Sequence, residues 1–458
     1  MTEPAVSRPD SRAQQPSARY LRHDAELRRL QSERGPTPPT VSFRQMVGPI
    51  PVDDATHSVH PYPARLIRHI PRFFFESSVI PQDGVVVDPF CGSGTVLLEA
   101  LLSGRRAVGV DSNPVATLIS AVKTSPLDTS KARLAALVTS VDHAARRGRA
   151  KYEPASYARK WYSDDAFSGL QRLATTVSDH AAGASPVSAN LLRLALARTS
   201  LEISIRDPRI PVPVRSRGSS NTNATAEDAR VIFRAVFERL VALVARLPAH
   251  LPAADVVRGD SRSPEYWPEL AEDQPSVLFT SPPYGAAQKY VRSTSLEAAW
   301  LGHAGPRGTR DLERASIGRE HLDPREVCAS VQLPNSRLRE LIDKLSALDA
   351  RRGAIYMHYF ADMSSAIATG LSQLRPDMIV LVCGTNRVAG TEVSTHDYLA
   401  EMIRSHGYTS TLELKDEIRG RTLMTRRRSG GLPAPSEMIY VFNRDEGATA
   451  TKDERIVG

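Results

Sequence analysis

The alternation of apolar and polar positions is clearest between residues 85 and 111, where it predicts a strand, a helix and a second strand. An apolar run at residues 85–87 ends in Asp88 and is followed by a turn with two glycines. Residues 96–101 then have a helical pattern that ends before Gly104, and residues 107–110 form a second apolar run ending at Asp111. We therefore predict a β-α-β unit here.

Residues 126–250 have a different pattern, in which apolar positions recur at the spacing of amphipathic helices. We predict helices at residues 130–147, 164–182, 189–203 and 226–246. Thr225 is placed to cap the last of these helices, with Asp228 three residues further on. This part of the chain is predicted to be a mainly helical insertion.

Short apolar runs return after residue 250 and predict strands at residues 255–258, 277–280, 354–357, 378–383 and 437–442. The layout is that of an α/β domain interrupted by a helical insertion. Its two halves are placed at residues 41–125 and 251–445, with the insertion at 126–250. Residues 1–40 are expected to be a disordered arm with one short helix around residues 21–31, and residues 446–458 a C-terminal tail.

Composition adds charge to this picture. The 458 residues carry a formal net charge of +8 and a sequence pI of about 9.5, which favours polyanionic partners without proving one. The three cysteines, Cys91, Cys328 and Cys383, are too widely scattered to suggest a disulfide framework or a metal site. With no signal peptide or membrane-spanning run in the sequence, a reducing cytoplasm is expected.

The turn after residue 87 is the first candidate for chemistry. Gly92 and Gly94 permit a tight strand-to-helix turn and close approach of a ligand to the backbone. Asp111, at the end of the next strand, could accept hydrogen bonds from both hydroxyls of a ribose. No Lys-Ser/Thr pair follows to hold a triphosphate, so adenosine with an amino-acid tail fits best. An ordinary turn, with Asp111 as a helix N-cap, is the alternative.

Residues 88–95 resemble the S-adenosylmethionine (AdoMet) motif of the DNA amino-methyltransferase family, and His60-Pro61-Tyr62-Pro63-Ala64 resembles the segment that precedes it there. The resemblance implies a Rossmann-like class I AdoMet-dependent methyltransferase sheet and makes 41–125 its AdoMet-binding half and 251–445 its catalytic half. It implies that Asp111 binds the ribose and Asp260 the adenine amino group, although Asp260 could also be a plain turn residue. The implied cofactor-binding residues are Tyr62, Asp88, Pro89, Phe90, Gly92, Gly94, Thr95, Asp111 and Asp260.

The second candidate is Ser281-Pro282-Pro283-Tyr284, directly after a predicted strand. Tandem prolines fix the backbone and remove two N–H donors, so the loop presents carbonyl acceptors. These carbonyls and the Ser281 hydroxyl suit an amino group that must be held during attack on a methyl group, and Tyr284 offers a face for an extruded base. Such chemistry needs positioning and no metal. Taken alone, the segment could equally be a kink before a helix.

Ser-Pro-Pro-Tyr resembles the form of this catalytic motif found chiefly in the N4-cytosine enzymes of the family. This resemblance implies methylation of cytosine N4 in a specific duplex sequence. We expect the protein to be cytoplasmic and nucleoid-associated, and three roles stay open: restriction-modification, another phage-defence system and gene regulation. An N6-adenine DNA enzyme, a tRNA guanine-N2 methyltransferase and a catalytically idle binding subunit are the alternatives. The motif follows the AdoMet loop here, whereas many such enzymes have the reverse order, and the long gap between them could hold a target-recognition region.

Candidate contacts to double-stranded DNA are arginines in basic loops, since arginine binds phosphates and guanine edges. A charge run is as often only a solvated surface. The candidates come from residues 206–217 and 419–428, with residues 307–319 as a third basic stretch: Arg206, Arg215, Arg217, Arg421, Arg426 and Arg427. The histidines have no zinc spacing, so no metal is expected.

Overall fold

The computed structural model describes residues 18–32, 35, 37–51, 54–216, 218, 220–271, 274–285, 289–328, 331–417 and 436–445. Its strands are β1 (Thr40–Val41), β2 (Val85–Asp88), β3 (Ala107–Asp111), β4 (Ala254–Arg258), β5 (Ser276–Thr280), β6 (Met378–Gly384), β7 (Asn386–Val388), β8 (Thr391–Val393), β9 (Tyr408–Glu417) and β10 (Ser436–Arg444).

Sixteen α-helices accompany these strands in the described ranges. They are α1 (Ala18–Ser32), α2 (Phe43–Val47), α3 (His69–Phe75), α4 (Thr95–Leu102), α5 (Pro114–Thr124), α6 (Lys131–Arg147), α7 (Asp164–Ala182), α8 (Pro186–Glu202), α9 (Ala226–Val244), α10 (Tyr290–Ser293), α11 (Ser295–Trp300), α12 (Arg310–Ala315), α13 (Pro324–Val327), α14 (Ser336–Leu348), α15 (Ala350–Leu374) and α16 (Thr395–Arg404). No described helix is both long and apolar enough to span a membrane.

The central sheet has the strand order β1-β9-β10-β6-β5-β2-β3-β4. Every pairing that involves β10 is antiparallel and the others are parallel. The central strands β2 and β5 are buried along their whole length, as strands covered on both faces must be. This mixed α/β arrangement with a mostly parallel sheet is consistent with a Rossmann-like fold.

Side chains that alternate along each central strand enter two different layers. Val85 and Val87 of β2 face a cluster formed with α14, α15 and α16, whereas Val86 faces one formed with α1 to α4. Helices α5 to α9 share a third cluster with α11, which includes Phe237 and Trp300. The sheet is therefore covered by helices on both faces, and α6 to α9 have a core of their own.

The predicted helices of residues 126–250 correspond to α6 to α9. The capping box expected before α9 is present, since the Thr225 hydroxyl accepts the Asp228 N–H and the Asp228 carboxylate accepts the Thr225 N–H. The predicted strands at 85–88, 107–110, 255–258, 277–280, 378–383 and 437–442 correspond to β2, β3, β4, β5, β6 and β10. The domain boundaries themselves remain a prediction.

Residues 354–357 were expected to form a strand but belong to the 25-residue helix α15. Four consecutive apolar residues fit either structure, and here they belong to a helix whose Ala354, Ile355 and Tyr356 pack in the cluster shared with α14 and α16. Strand β9 was not expected. Most of its residues are charged or polar, and the buried Leu412 and Leu414 interrupt this polar pattern at only two positions.

The short helix expected around residues 21–31 is present as α1 (Ala18–Ser32) and is longer than predicted. Leu27 and Leu30 are buried against the sheet's helical layer, and the Asp24 carboxylate accepts the Ser78 backbone N–H at 3.0 Å. The apolar positions of α1 are few and lie between arginines. The helix is therefore polar on average, although one narrow face of it is buried. Residues 1–17 lie outside the described residues.

We predict that Leu27→Ala lowers the free energy of unfolding by about 2–5 kcal/mol, because it leaves a cavity under α1. Leu21→Ala is the matched control, since Leu21 lies on the same helix and is 55% exposed; it should change stability by about 0.5 kcal/mol or less. Chemical denaturation measures both. Equal effects would mean that α1 does not pack on the domain.

Candidate active site

Loops that follow β2, β3, β4 and β5 converge at one edge of the sheet because parallel strands end on the same side. They surround an open cavity with an empty volume of about 1070 Å³. The predicted site residues that line it are Tyr62, Asp88, Pro89, Phe90, Gly92, Thr95, Asp111, Asp260, Ser281, Pro282, Pro283 and Tyr284. The structure thus brings both predicted motifs, and the segment around Tyr62, to one place.

The turn between β2 and α4 depends on its two glycines, which have φ angles of +50° at Gly92 and +72° at Gly94. Gly94 precedes α4 and does not line the cavity; a Cβ at this position would collide with the Ser120 side chain. At Gly92 the nearest side chain is that of Tyr62, 3.5 Å from where a Cβ would be. The glycines therefore allow the close packing that shapes the cavity wall.

Asp88 is 3% exposed and lies at the end of β2. One carboxylate oxygen accepts a hydrogen bond from the Thr280 hydroxyl at 2.8 Å and from the Phe90 N–H at 3.1 Å. Burial raises the pKa of Asp88 to about 7, and these two hydrogen bonds oppose the shift. The Thr280–Asp88 contact joins the first motif to the end of β5, directly before the second motif.

Asp111 ends β3 and accepts backbone hydrogen bonds from Gly92 at 2.9 Å and Asn113 at 2.8 Å. Burial raises the pKa of Asp111 to about 6 despite these donors. The alternative role of Asp111, a helix N-cap, belongs instead to Asn113, whose side chain accepts the Val115 N–H at 3.0 Å. The Asp111 carboxylate is left facing the cavity.

Asp260 also lines the cavity, but it is held by Arg262 through hydrogen bonds of 2.6 to 3.0 Å. Burial acts to raise the pKa of Asp260, and the Arg262 hydrogen bonds lower it below the ordinary value. Arg262 also donates to Asp362 of α15 at 2.7 Å. Sequence reasoning missed Arg262, although its position two residues after Asp260 was a signal.

The Ser281-Pro282-Pro283-Tyr284 segment leaves the end of β5 and enters the same cavity. We expected its carbonyls to face a substrate, yet the Pro283 carbonyl accepts a hydrogen bond from the Tyr359 hydroxyl at 2.9 Å. The Tyr284 hydroxyl donates to the Glu437 carboxylate at 3.1 Å. Within the described residues, the Ser281 hydroxyl and the Pro282 carbonyl have no hydrogen-bond partner, so both remain available as acceptors.

The segment that carries Tyr62 is anchored behind the cavity by a buried histidine. The His60 ring contacts the Glu297 carboxylate of α11 at 3.2 Å, and both side chains are about 1% exposed. Burial lowers the pKa of His60 although Glu297 opposes this. Burial, followed by the charge of Asp111, raises the pKa of Tyr62 well above its usual range. Tyr62 therefore lines the cavity with an uncharged hydroxyl.

The predicted DNA-contacting arginines are placed unevenly. Arg206 is half-buried, with its guanidinium 3.5 Å from two backbone carbonyl oxygens, and pairs through the backbone with the exposed Arg215. Arg307 and Arg319, at the ends of the third basic stretch, form ion pairs with Asp311 and Glu326. Four candidates lie outside the described residues: Arg217, Arg421, Arg426 and Arg427.

Chemically, the cavity combines two carboxylates whose pKa is raised by burial with hydroxyl and carbonyl acceptors on a rigid loop. Two such carboxylates favour a ligand that carries positive charge, because a nearby cation stabilises their ionised form. The described residues contain no group of three or more His, Cys, Asp or Glu side chains suited to a metal ion.

Comparison with known proteins gives two relatives and one family model. The model of a family described as DNA methylase matches residues 43–121, which include Tyr62, Asp88 and Asp111. The Type II methyltransferase M.MvaI of Kocuria varians is 21% identical over 384 residues, which is 77% of this chain and 82% of the relative. The Type II methyltransferase M.MjaII of Methanocaldococcus jannaschii is 33% identical over 75 residues, 16% of this chain and 14% of the relative. No solved structure gives a significant match.

We predict that Asp88→Asn gains stability relative to the parent as pH rises from 5 to 7. The pKa of Asp88 is raised, so between these pH values the folded parent holds a proton that the unfolded chain has lost. The parent's free energy of unfolding therefore falls by up to about 1.4 kcal/mol per pH unit until pH exceeds about 7. Asparagine keeps the acceptor oxygen and cannot ionise. Denaturation of the ligand-free proteins between pH 5 and 8 measures the difference.

The control for this series is Asp164→Asn, since the Asp164 side chain is 93% exposed. Its stability difference from the parent should stay constant over the same pH range. A constant difference for Asp88→Asn as well would show that burial does not hold a proton on Asp88.

Proposed function

We propose that this chain, which belongs to the DNA amino-methyltransferase family, transfers a methyl group from AdoMet to the exocyclic amine of a base in duplex DNA. The observation that carries this proposal is a single cavity in which Asp88 and Asp111 lie beside Ser281 and Tyr284. A donor site and an acceptor site that share one cavity are what a direct transfer requires, because the reacting atoms must lie in line and in contact.

The cavity residues fit AdoMet. This cofactor carries positive charge on its sulfonium and on its amino group, and Asp88 and Asp111 are carboxylates whose pKa burial has raised. Asp111 would hold the ribose hydroxyls, and Asp260 would hold the adenine amino group. The turn that contains Gly92 and the side chain of Tyr62 would hold the methionine end. When bound, AdoMet supplies an activated methyl group on its positively charged sulfur.

On the acceptor side, Ser281 and the Pro282 carbonyl would hold the amine. The lone pair of a base amine is delocalised into the ring, which makes the nitrogen a poor nucleophile. Two acceptors that bind its hydrogens favour sp³ geometry and aim the lone pair at the methyl group. Tyr284 would stack on the base, which must leave the helix to enter the cavity.

Cytosine N4 is the preferred target, because Ser281 stands where the N6-adenine enzymes of the family chiefly have Asp or Asn. N6-adenine methylation of DNA is the second candidate, and guanine-N2 methylation of tRNA the third. The two relatives are both named Type II methyltransferases, which supports a DNA substrate. Sequence-specific action alongside a restriction or other phage-defence partner is part of the proposal. We assign the enzyme to the cytoplasm, in association with the nucleoid.

The DNA surface is proposed to include Arg215 and, among residues outside the described ranges, Arg217, Arg421, Arg426 and Arg427. The partial burial of Arg206 makes it a weaker candidate for phosphate contact than the exposed Arg215. The helical residues 126–250 remain the proposed target-recognition region.

We predict that Asp111→Ala weakens AdoMet binding about tenfold or more, since hydrogen bonds to a charged group are worth about 1.5–3 kcal/mol. Isothermal titration calorimetry measures the affinity, and circular dichroism verifies the fold. Asp255→Ala is the control, because Asp255 lies on the neighbouring strand β4 with 62% of its side chain exposed. Parental affinity in Asp111→Ala would mean that the AdoMet site has been misplaced.

We also predict that Ser281→Ala lowers the methylation rate while AdoMet affinity stays near the parental value, because only an amine acceptor is lost. Tyr284→Ala should lower the methylation rate further than Ser281→Ala does, since base stacking is worth about 1–3 kcal/mol. The assay is transfer of labelled methyl to DNA from a methylation-free host, followed by mass spectrometry of the nucleosides.

The expected product is N4-methylcytosine. N6-methyladenine would overturn the base assignment and keep the mechanism, whereas methylated guanine confined to tRNA would overturn the substrate class. AdoMet binding without any methyl transfer would favour an idle binding subunit.

A further inference from the structure

We propose that Tyr356, Tyr359 and Glu437, none of which belongs to either sequence motif, are positioning residues that clamp the 281–285 loop for methyl transfer. Tyr356 and Tyr359 hold its backbone from α15, and Glu437 holds the Tyr284 ring from β10. The inference rests on the proposed function, because it assigns these side chains to the acceptor half of that reaction.

The α15 side of the clamp consists of two hydroxyls on one helical face. The Tyr359 hydroxyl donates to the Pro283 carbonyl at 2.9 Å, and the Tyr356 hydroxyl donates to the Gly285 carbonyl at 2.6 Å. Both tyrosines are at most 3% exposed. Because they are three residues apart on a helix, they lie on the same face, and their ring centroids are 6.0 Å apart.

The loop lies directly on these two rings. A Cβ at Gly285 would approach the Tyr359 ring at 3.0 Å and the Tyr356 ring at 3.3 Å. A larger residue would fit only if the rings or the loop moved by a few tenths of an ångström. The position of Gly285 after Tyr284 is therefore explained by contact with α15.

The β10 side of the clamp holds the aromatic ring. Glu437 is the second residue of β10, is 5% exposed and lines the cavity. Its carboxylate accepts the Tyr284 hydroxyl at 3.1 Å. A buried carboxylate needs such donors, so the contact fixes the far end of the ring that would stack on the base.

The clamp engages residues 283, 284 and 285 and leaves Ser281 and Pro282 as acceptors without partners among the described residues. Acceptors that are already oriented cost no reorganisation when the reaction begins. None of the three clamp hydrogen bonds involves Asp88 or Asp111. Loss of the clamp should therefore slow transfer without weakening AdoMet binding.

The first test compares two tyrosine-to-phenylalanine variants. Tyr359→Phe removes the hydroxyl and keeps the ring on which the loop lies. Tyr408→Phe is the matched control. Tyr408 lies on β9, is 4% exposed, and its hydroxyl donates to the Pro376 carbonyl at 2.9 Å. Each variant loses one buried hydrogen bond of the same kind, so their melting temperatures should fall similarly.

In single-turnover transfer of labelled methyl to DNA from a methylation-free host, Tyr359→Phe should be about tenfold slower than the parent, since small misplacements of reacting groups are costly. Tyr408→Phe should transfer at the parental rate. Both should bind AdoMet within about twofold of the parent, as calorimetry measures, because neither touches the donor site.

The second test is a double-mutant cycle between Tyr284 and Glu437. Tyr284→Phe and Glu437→Ala should slow transfer by similar factors, and the double variant should be no slower than either, because both remove the same contact. Glu437→Gln, which keeps an acceptor oxygen, should recover most of the rate. This recovery would not be expected if Glu437 were needed only for its charge.

The clamp is overturned if Tyr359→Phe transfers methyl groups as fast as Tyr408→Phe, or if the Tyr284→Phe and Glu437→Ala losses multiply. A parent enzyme that binds AdoMet and methylates no DNA would instead overturn the proposed function, and the clamp with it. The two failures are separated by the activity of the parent.

Discussion

The hydrogen bond from the Thr280 hydroxyl to the Asp88 carboxylate joins the ends of the two strands on which the whole cavity depends. The residues are 192 positions apart in sequence but adjacent in the sheet, because β2 pairs directly with β5. The loop that follows Asp88 and the loop that follows Thr280 both line the cavity. The strand order at the centre of the sheet thus creates a site that neither motif could form alone.

This site is built at some cost to stability. Asp88 and Asp111 are carboxylates held where burial raises their pKa to about 7 and about 6, so ionisation at neutral pH opposes folding of the empty protein. A positively charged ligand would offset that cost when it enters. The same burial that lowers the stability of the ligand-free protein therefore favours binding of a ligand that carries positive charge.

A layer of side chains outside the motifs supports the loops that carry them. Arg262 links Asp260 to α15, His60 links the Tyr62 segment to Glu297 of α11, and the tyrosines of α15 hold the loop after β5. Helices α6 to α9 pack into the cluster that includes α11. Helices α6 to α9 therefore share a core with the helix that supports the Tyr62 segment, although none of the described residues between 126 and 250 lines the cavity.

The sequence by itself determined those features that depend on neighbouring residues. Buried parallel strands such as β2 and β5 are continuous apolar runs, the Thr225 cap depends on a residue three positions away, and the turn at Gly92 needs backbone freedom at that point. Both motifs could be identified because each is a short contiguous segment. The family resemblance then predicted that the two segments form parts of one active site.

Only the tertiary structure decided the rest. Residues 354–357 have too few apolar positions to distinguish a strand from a helix, and α1 gains its stability from a narrow face buried against other helices. The contacts of Tyr359 with Pro283 and of Glu437 with Tyr284 join elements far apart in the chain, so no local pattern marks them. Such contacts follow from strand order and helix packing. These depend on burial between residues that are distant in the chain, which a single sequence does not reveal.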